Sequence, residues 1–230
     1  MDGILLVDKP AGWTSFDVVA KIRGIIKAET GQKIKIGHTG TLDPAATGLL
    51  ILVLGKYTKR AGEFSKLDKT YEAELTLGQT SSTGDKEGEI TQKSAQKPTE
   101  LAIKDTLSTF LGEISQTPPQ YSAIKIGGQR AYKAARTGKT VEIEPRKVKI
   151  YKITEVKYDY PKLKFNTKVS SGTYIRSLAE DIGQKLGTGA YLSALRRTQV
   201  GKFNITDAAG VDGLDFGAIS SHLVQALSKE

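Results

Sequence analysis

The spacing of apolar residues changes several times along the chain. Residues 3–10, "GILLVDKP", form a short apolar run closed by Pro10 and predict a buried strand. In "TSFDVVAKIRGIIKAETG" the period becomes helical. Phe16, Val19, Ile22 and Ile26 recur at helical steps, Thr14 and Asp17 have capping-box spacing, and Gly31 is placed to end the helix. The run "LLILVLG" predicts a strand buried on both faces. "KTYEAELTLG" alternates, with Tyr71, Ala73, Leu75 and Leu77 on one face. "QTSSTGDKEGEI" has loop chemistry, and "TELAIKDTLSTFLGEI" predicts an amphipathic helix capped by Thr99, with Leu101, Leu107, Phe110 and Leu111 on one side. Two alternating strands, "KVKIYKITEVKYDY" and "KLKFNTKVSS", meet near Pro161. "GTYIRSLAEDIGQKLG" predicts a helix with Ile175, Leu178, Ile182 and Leu186 inward. "LSALRRTQVGKFNI" is basic and strand-like at its end, and "GAISSHLVQALSKE" reads as a closing helix. Helices and strands interleave, but most strands alternate. The fold class expected is α+β, with a mixed, mostly antiparallel central sheet flanked by helices.

Composition narrows the chemistry. The 230 residues suit one domain, residues 1–230, since no long Pro/Gly/Ser-rich linker divides them. With no cysteine there is no thiolate nucleophile, disulfide or Cys-based zinc site, and only His38 and His222 could offer imidazole to a metal. The N-terminus lacks the pattern of a signal peptide, and "LLILVL" falls far short of the ~20 apolar residues of a membrane span. A cytoplasmic protein is expected.

The formal charge is +9, from 34 basic and 25 acidic residues. Lys125 to Lys149 holds eight bases (Lys125, Arg130, Lys133, Arg136, Lys139, Arg146, Lys147, Lys149) against Glu142 and Glu144, a net +6. Such a concentration suits a polyanion such as nucleic acid. The segment 116–149 has few large apolar residues, adjacent prolines and a glycine pair, and reads as a basic arm inserted in the fold. Arg130, Lys133 and Arg136 recur every third residue, as a stripe on a helix would.

Three residues stand out as candidates. Asp43 precedes Pro44 within "GHTGTLDPAATG". A residue before proline is held extended, and Pro44 suits the first position of a helical turn, so Asp43 could simply cap that turn. Three glycines and His38 on the same stretch go beyond what a cap requires and also fit close approach of a ligand. Arg176 falls in the first turn of its helix, where a cation opposes the helix dipole by roughly 0.3–1 kcal/mol. The position makes sense if the guanidinium faces a phosphate or a buried carboxylate; otherwise it points to solvent. Tyr71 is either a core residue with a wet hydroxyl or a ring lining a cleft, able to stack on a base.

The stretches "GILLVDKPAGWTS", "GHTGTLDPAATGLL", "KTYEAEL", "YSAIKIGGQRAYKAARTG", "VSSGTYIRSLAEDIG" and "LRRTQVGKF" resemble, in order, the motifs of the TruB family of tRNA pseudouridine-55 synthases, and cover most of residues 3–205. The resemblance implies a pseudouridine-synthase-like fold and isomerisation of a T-loop uridine of tRNA by base flipping. It makes Asp43 the nucleophile, Tyr71 the ring that stacks on the base and bears on C5 deprotonation, and Arg176 the partner of the aspartate. His38 would fill the space of the flipped nucleotide, and Lys9 and Pro10 would have a supporting structural role. The basic arm would close on the T-loop, with Lys125, Arg130, Lys133, Arg136 and Tyr174 as RNA-binding residues. The reaction needs no cofactor or metal. The expected partner is tRNA, with no membrane, no obligatory protein partner, and a monomeric enzyme. Bacterial members continue into a C-terminal PUA-like domain, which is expected to be absent from a sequence that stops at Glu230.

Overall fold

The computed structural model describes residues 1–122, 125–126, 129–130 and 141–224. In chain order the elements are β1 (Gly3–Lys9), α1 (Ser15–Thr30), β2 (Ile36–His38), β3 (Thr47–Leu54), a 3-10 turn (Gly55–Arg60), α2 (Ala61–Ser65) and β4 (Lys69–Leu77). Next come β5 (Gln79–Ser81), β6 (Ile90–Gln92), α3 (Glu100–Ser108), β7 (Gly112–Gln116), β8 (Lys125–Ile126) and β9 (Gln129–Arg130). The remainder are β10 (Arg146–Asp159), β11 (Lys162–Val169), α4 (Ile175–Lys185), β12 (Ala190–Val200), β13 (Phe203–Asn204), β14 (Ala209–Gly210), α5 (Phe216–Ser221) and β15 (Leu223–Val224). They form two compact units, Met1–Tyr71 with Leu195–Glu230, and Glu72–Ala194.

The first unit is built on the antiparallel pair β1–β3, with Leu6 opposite Ile51 and Val7 opposite Leu50. β14 runs parallel to β1, β2 antiparallel to β3, and the end of β12 parallel to β3. The solid apolar run of β3 has a simple cause: both faces are covered. Leu50, Leu52 and Leu54 pack with Leu5, Val7 and the α1 residues Val18, Val19, Ile22 and Ile26. Leu49, Ile51 and Val53 pack with Ile4, Leu6, Phe64 and Val200. Each such side chain contributes roughly 1.5–3 kcal/mol of transfer free energy. The capping box of Thr14 and Asp17 is present, and Gly31 ends α1 at φ 70°. Phe16, expected on the apolar stripe, is 62% exposed. The stripe is centred on Ser15, Val18 and Ile22, which leaves Phe16 about 110° round the helix.

The second unit carries the strand order β4–β11–β10–β7, and β10 pairs antiparallel with both β11 and β7. Tyr71, Ala73, Leu75 and Leu77 are all buried, as the alternation of β4 predicts. The mixed, mostly antiparallel sheet with helices is therefore as expected. The stretch read as a loop contains the short β5–β6 hairpin, with Thr80 opposite Thr91. The helix expected to run to Ile114 stops at Ser108, and Gly112 at φ 94° starts β7. Its buried residues are Ile103, Thr106 and Leu107, whereas Leu101 and Leu111 are exposed. β12 extends over Ala190–Val200 rather than over the end of its segment alone. The closing helix covers only Phe216–Ser221 and is followed by β15, which pairs with β1; residues 225–230 lie outside the described residues.

Candidate active site

Asp43 sits in the loop from β2 to β3, and its neighbours are clamped one after another. The Gly40 carbonyl accepts from Arg197 Nη2 at 3.0 Å, while Arg197 Nε donates to Leu49 O at 2.7 Å. Ser15, the first residue of α1, takes both polar groups of Leu42: its Oγ accepts the amide at 2.9 Å and donates to the carbonyl at 3.1 Å. The Pro44 carbonyl accepts from the Gly12 amide at 2.9 Å and from Lys9 Nζ at 3.3 Å. Lys9 is fully buried, and its Nζ also donates to Trp13 O at 2.6 Å and Pro10 O at 2.9 Å. Carbonyl oxygens thus replace the water that a buried ammonium would lose.

The turn at Asp43 is not the helical turn that Pro44 suggested. It is a β-turn, with the Asp43 carbonyl accepting the Ala46 amide at 3.1 Å. Proline fits the second position of such a turn as well as it fits a helix start. Fixing a residue's backbone costs about 1–2 kcal/mol, so a segment held on both sides of Asp43 presents that residue with the cost already met by folding.

Gly48 explains part of the glycine content of the motif. Its φ is +105°, and a Cβ there would lie 2.3 Å from the Arg197 carbonyl oxygen. Arg197 and Gly48 are parallel-strand partners, which fixes the 3.0 Å reach to Gly40. Arg196 beside it forms a two-pronged bond to Asp8, at 3.1 and 2.7 Å. His38 ends β2 opposite Leu52 and is half-buried. Tyr71 is buried in β4.

In the second unit Arg176 is the second residue of α4, as expected. Tyr174, at the helix N-cap, is held by the Gln116 side chain: its amide donates to Oε1 at 2.8 Å and its carbonyl accepts from Nε2 at 3.0 Å. Arg176 is 6% exposed. Its Nη1 lies 3.4 Å from Asp85 Oδ2 and donates to Thr83 O at 3.2 Å, while Nη2 donates to Tyr121 O at 2.8 Å. The guanidinium therefore does face a buried carboxylate, one that sequence reasoning missed. Asp85 is held in turn by Thr83 Oγ1 at 2.6 Å and the Glu87 amide at 3.0 Å. Burial pushes the nearby Glu180 carboxyl up; Asp181 adds to the rise and Arg176 opposes it. Asp181 is itself raised by burial.

Lys125 and Arg130 are opposite partners in the β8–β9 ladder, so Arg130 belongs to a strand and not to the helical stripe expected. Lys133 and Arg136 lie outside the described residues. Sequence reasoning also missed Ser15, Gln116 and Arg197. Arg197 lies in "LSALRRTQVGKFNI", which reads as basic and strand-like at its end, and Asp85 in "QTSSTGDKEGEI", which reads as loop chemistry.

A family model described as "TruB family pseudouridylate synthase (N terminal domain)" matches residues 25–175, which hold the Asp43 loop, Tyr71 and Asp85. The chain belongs to the TruB family. A second TruB model, "tRNA pseudouridylate synthase B C-terminal domain", matches residues 176–218. Among curated TruB relatives, "tRNA pseudouridine synthase B" of Opitutus terrae is 43% identical over 216 residues, 94% of this chain and 88% of that one. Its namesake in Thermobifida fusca is 45% identical over 222 residues, 93% of this chain and 74% of the relative. Of solved structures, a Cbf5-Nop10-Gar1 complex matches with a TM-score of 0.69 at 33% identity, covering 90% of this chain and 52% of that one. An H/ACA RNP bound to a substrate RNA containing 2'-deoxyuridine matches at 0.69 and 28%, covering 97% and 58%. A TruB pseudouridylate synthase is an isomerase. Among the described residues no helix is long and apolar enough to cross a membrane.

Proposed function

We propose that the chain is a tRNA pseudouridine-55 synthase in which Asp43 is the nucleophile. The observation that carries the reading is the loop around Asp43, fixed by Ser15 on one side and by Gly12 and Lys9 on the other, within the segment that matches the TruB model. A stacked T-loop uridine must be everted before its ring can be reached, at a cost of a few kcal/mol. In the reaction the N1–C1′ bond breaks, the uracil turns, a C5–C1′ bond forms, C5 loses its proton and N1 gains one. No atom is gained or lost overall, so the reading calls for no cofactor or metal. Tyr71 stacks on the base and bears on the C5 proton. To Arg176 falls the role of keeping the carboxylate ionised. His38 offers a ring in place of the everted nucleotide. Tyr174, Lys125, Arg130, Lys133 and Arg136 contact RNA, the cations positioning it through phosphates without reading sequence. The relatives' shared name supports tRNA as substrate. The reading is completed by a single catalytic domain that works in the cytoplasm as a monomer, without a protein partner.

The test is Asp43→Asn, followed by release of the C5 hydrogen from uridine in tRNA and by mapping of the modified position. Turnover should fall by roughly three orders of magnitude or more. Persistent turnover removes Asp43 from the mechanism. Because solved relatives include an H/ACA RNP, the assay uses naked tRNA transcript. Modification at position 55 without added partners supports a stand-alone enzyme, and a strict need for guide RNA overturns it.

A further inference from the structure

The β10–β11 hairpin has one buried face, formed by Val148, Ile150, Leu163, Phe165 and Val169. Alternation sends its lysines to the other face. There Lys152 stands directly opposite Lys168, and Lys157 opposite Lys164. Like charges facing each other across a ladder destabilise it. Acids relieve part of this face: Glu74 bridges Lys162 at 2.7 Å and Lys164 at 3.0 Å, and Glu113 meets Lys147 at 2.9 Å. Among the described residues no acid forms an ion pair with Lys152 or Lys168, and Lys149 stands opposite Glu113, whose carboxylate bridges Lys147. The hairpin's own acids, Glu155 and Asp159, lie in and beyond the second irregularity of the ladder, between Thr154 and Lys157.

The first irregularity falls between Ile150 and Lys152 and makes Tyr151 the extra residue. A bulge re-aims the side chain it carries. Here it puts the Tyr151 ring, 39% exposed, between two ammonium groups: Lys149 Nζ is 5.4 Å from the ring centroid and Lys168 Nζ 5.8 Å. Two ammonium groups beside a half-exposed aromatic ring, with Lys152 directly opposite one of them across the ladder, suit an anion that also offers a flat surface.

We propose that this face is a second RNA-contact surface, where Lys149, Lys152 and Lys168 take up backbone phosphates and Tyr151 receives an unpaired base. The proposal rests on the reading of the chain as an RNA-modifying enzyme and adds a surface to which the basic arm contributes only its last residue, Lys149. RNA is favoured over an anionic bilayer because the ring is a single tyrosine set among cations on a strand, whereas entry into a bilayer takes a cluster of apolar side chains. Stacking on one exposed ring between cations is how sequence-tolerant single-strand binding is achieved.

The test compares wild type with K149Q/K152Q/K168Q and with Y151A. Equilibrium binding of full-length tRNA is measured from ~50 to ~300 mM salt, and turnover at saturating tRNA is measured alongside. The log–log salt slope falls by about 0.7–0.9 for each phosphate the protein no longer neutralises, so the triple variant should give up about 2–3 in slope and bind roughly tenfold more weakly near 0.1 M salt. Y151A should weaken binding several-fold and leave the slope unchanged. Turnover at saturation should be unchanged in both. Thermal stability of the triple variant should equal or exceed wild type, because cross-strand repulsion is removed. Lysine-to-arginine replacement should keep the slope. Unchanged tRNA affinity and slope in the triple variant overturn the proposal. So does loss of binding to phosphatidylglycerol vesicles with tRNA binding intact, which would make the face a membrane-binding one. If wild type binds tRNA with this slope but makes no pseudouridine, the catalytic reading fails and this surface stands.

Discussion

Asp85→Asn separates a working ion pair from an incidental one. The substitution keeps shape and volume and removes the charge that faces Arg176. Asp85 and Arg176 are 7% and 6% exposed, so solvent does little to replace the missing partner. An amide oxygen can still accept from Thr83 Oγ1 and the Glu87 amide, but its nitrogen then points at Arg176 Nη1, donor against donor. Breaking a buried pair on one side costs about 3–5 kcal/mol. The carbonyls of Thr83 and Tyr121 still hold the guanidinium, which brings the expectation to about 2–4 kcal/mol. For a chain of this size that is a fall in Tm of about 5–15 °C. Urea unfolding should show a lower midpoint at unchanged m, and turnover at saturating tRNA should fall because Arg176 loses its orientation. Loss of the Asp85 charge also removes one of the influences that raise Glu180, so the Glu180 carboxyl should move back toward its ordinary value. A variant with wild-type midpoint and wild-type kcat refutes the argument that Asp85 fixes Arg176.

Three further outcomes are expected. Gly48→Ala combines φ +105° with a Cβ 2.3 Å from the Arg197 carbonyl; it should cost roughly 3 kcal/mol or more, seen as a lower urea midpoint or loss of soluble protein. Ser15→Ala strips both polar groups of Leu42 of their buried partner; about 1–3 kcal/mol of stability should go, with kcat for tRNA falling more than KM rises, since the residue freed adjoins Asp43. The Glu74 carboxyl is lowered from 4.5 to about 2, chiefly by its hydrogen bond to Lys162. Its stabilisation is therefore present above pH 4.5 and lost as pH falls toward 2, and with both lysines partly exposed it amounts to about 1–2 kcal/mol. Melting curves at pH 5 and pH 2.5 should show that loss in wild type and a flatter dependence in Glu74→Gln.

How far the sequence could be read depended on whether a signal was local. β1, β3, β4, the caps of α1 and the β10–β11 pair follow from periodicity, from Pro10 and Gly31, and from the pattern of core positions. Phe16 and Leu101 are exposed because three- and four-residue spacing marks two adjoining stripes on a helix, and only the neighbouring sheet decides which is buried, whereas Leu111 lies beyond the end of α3 at Ser108. The β5–β6 hairpin was invisible because its pairs, Gln79–Gln92 and Thr80–Thr91, are polar and short.

The site divides the same way. Asp43 and Arg176 each break a local expectation, one by its crowded glycine loop and the other by its cation at a helix N-terminus. What holds them breaks none. Ser15 looks like the start of a helix, Gln116 the end of a strand, Asp85 a turn residue and Arg197 one more base. Each acts across 27 to 157 residues of chain, a distance over which one sequence carries no pairing information. Asp43 and Arg176 are legible by the strain they place on local rules. Those that position them become legible only when the chain is folded, because their energy lies in long-range hydrogen bonds to backbone carbonyls and, for Asp85, in an ion pair with a distant guanidinium, neither of which marks the local sequence.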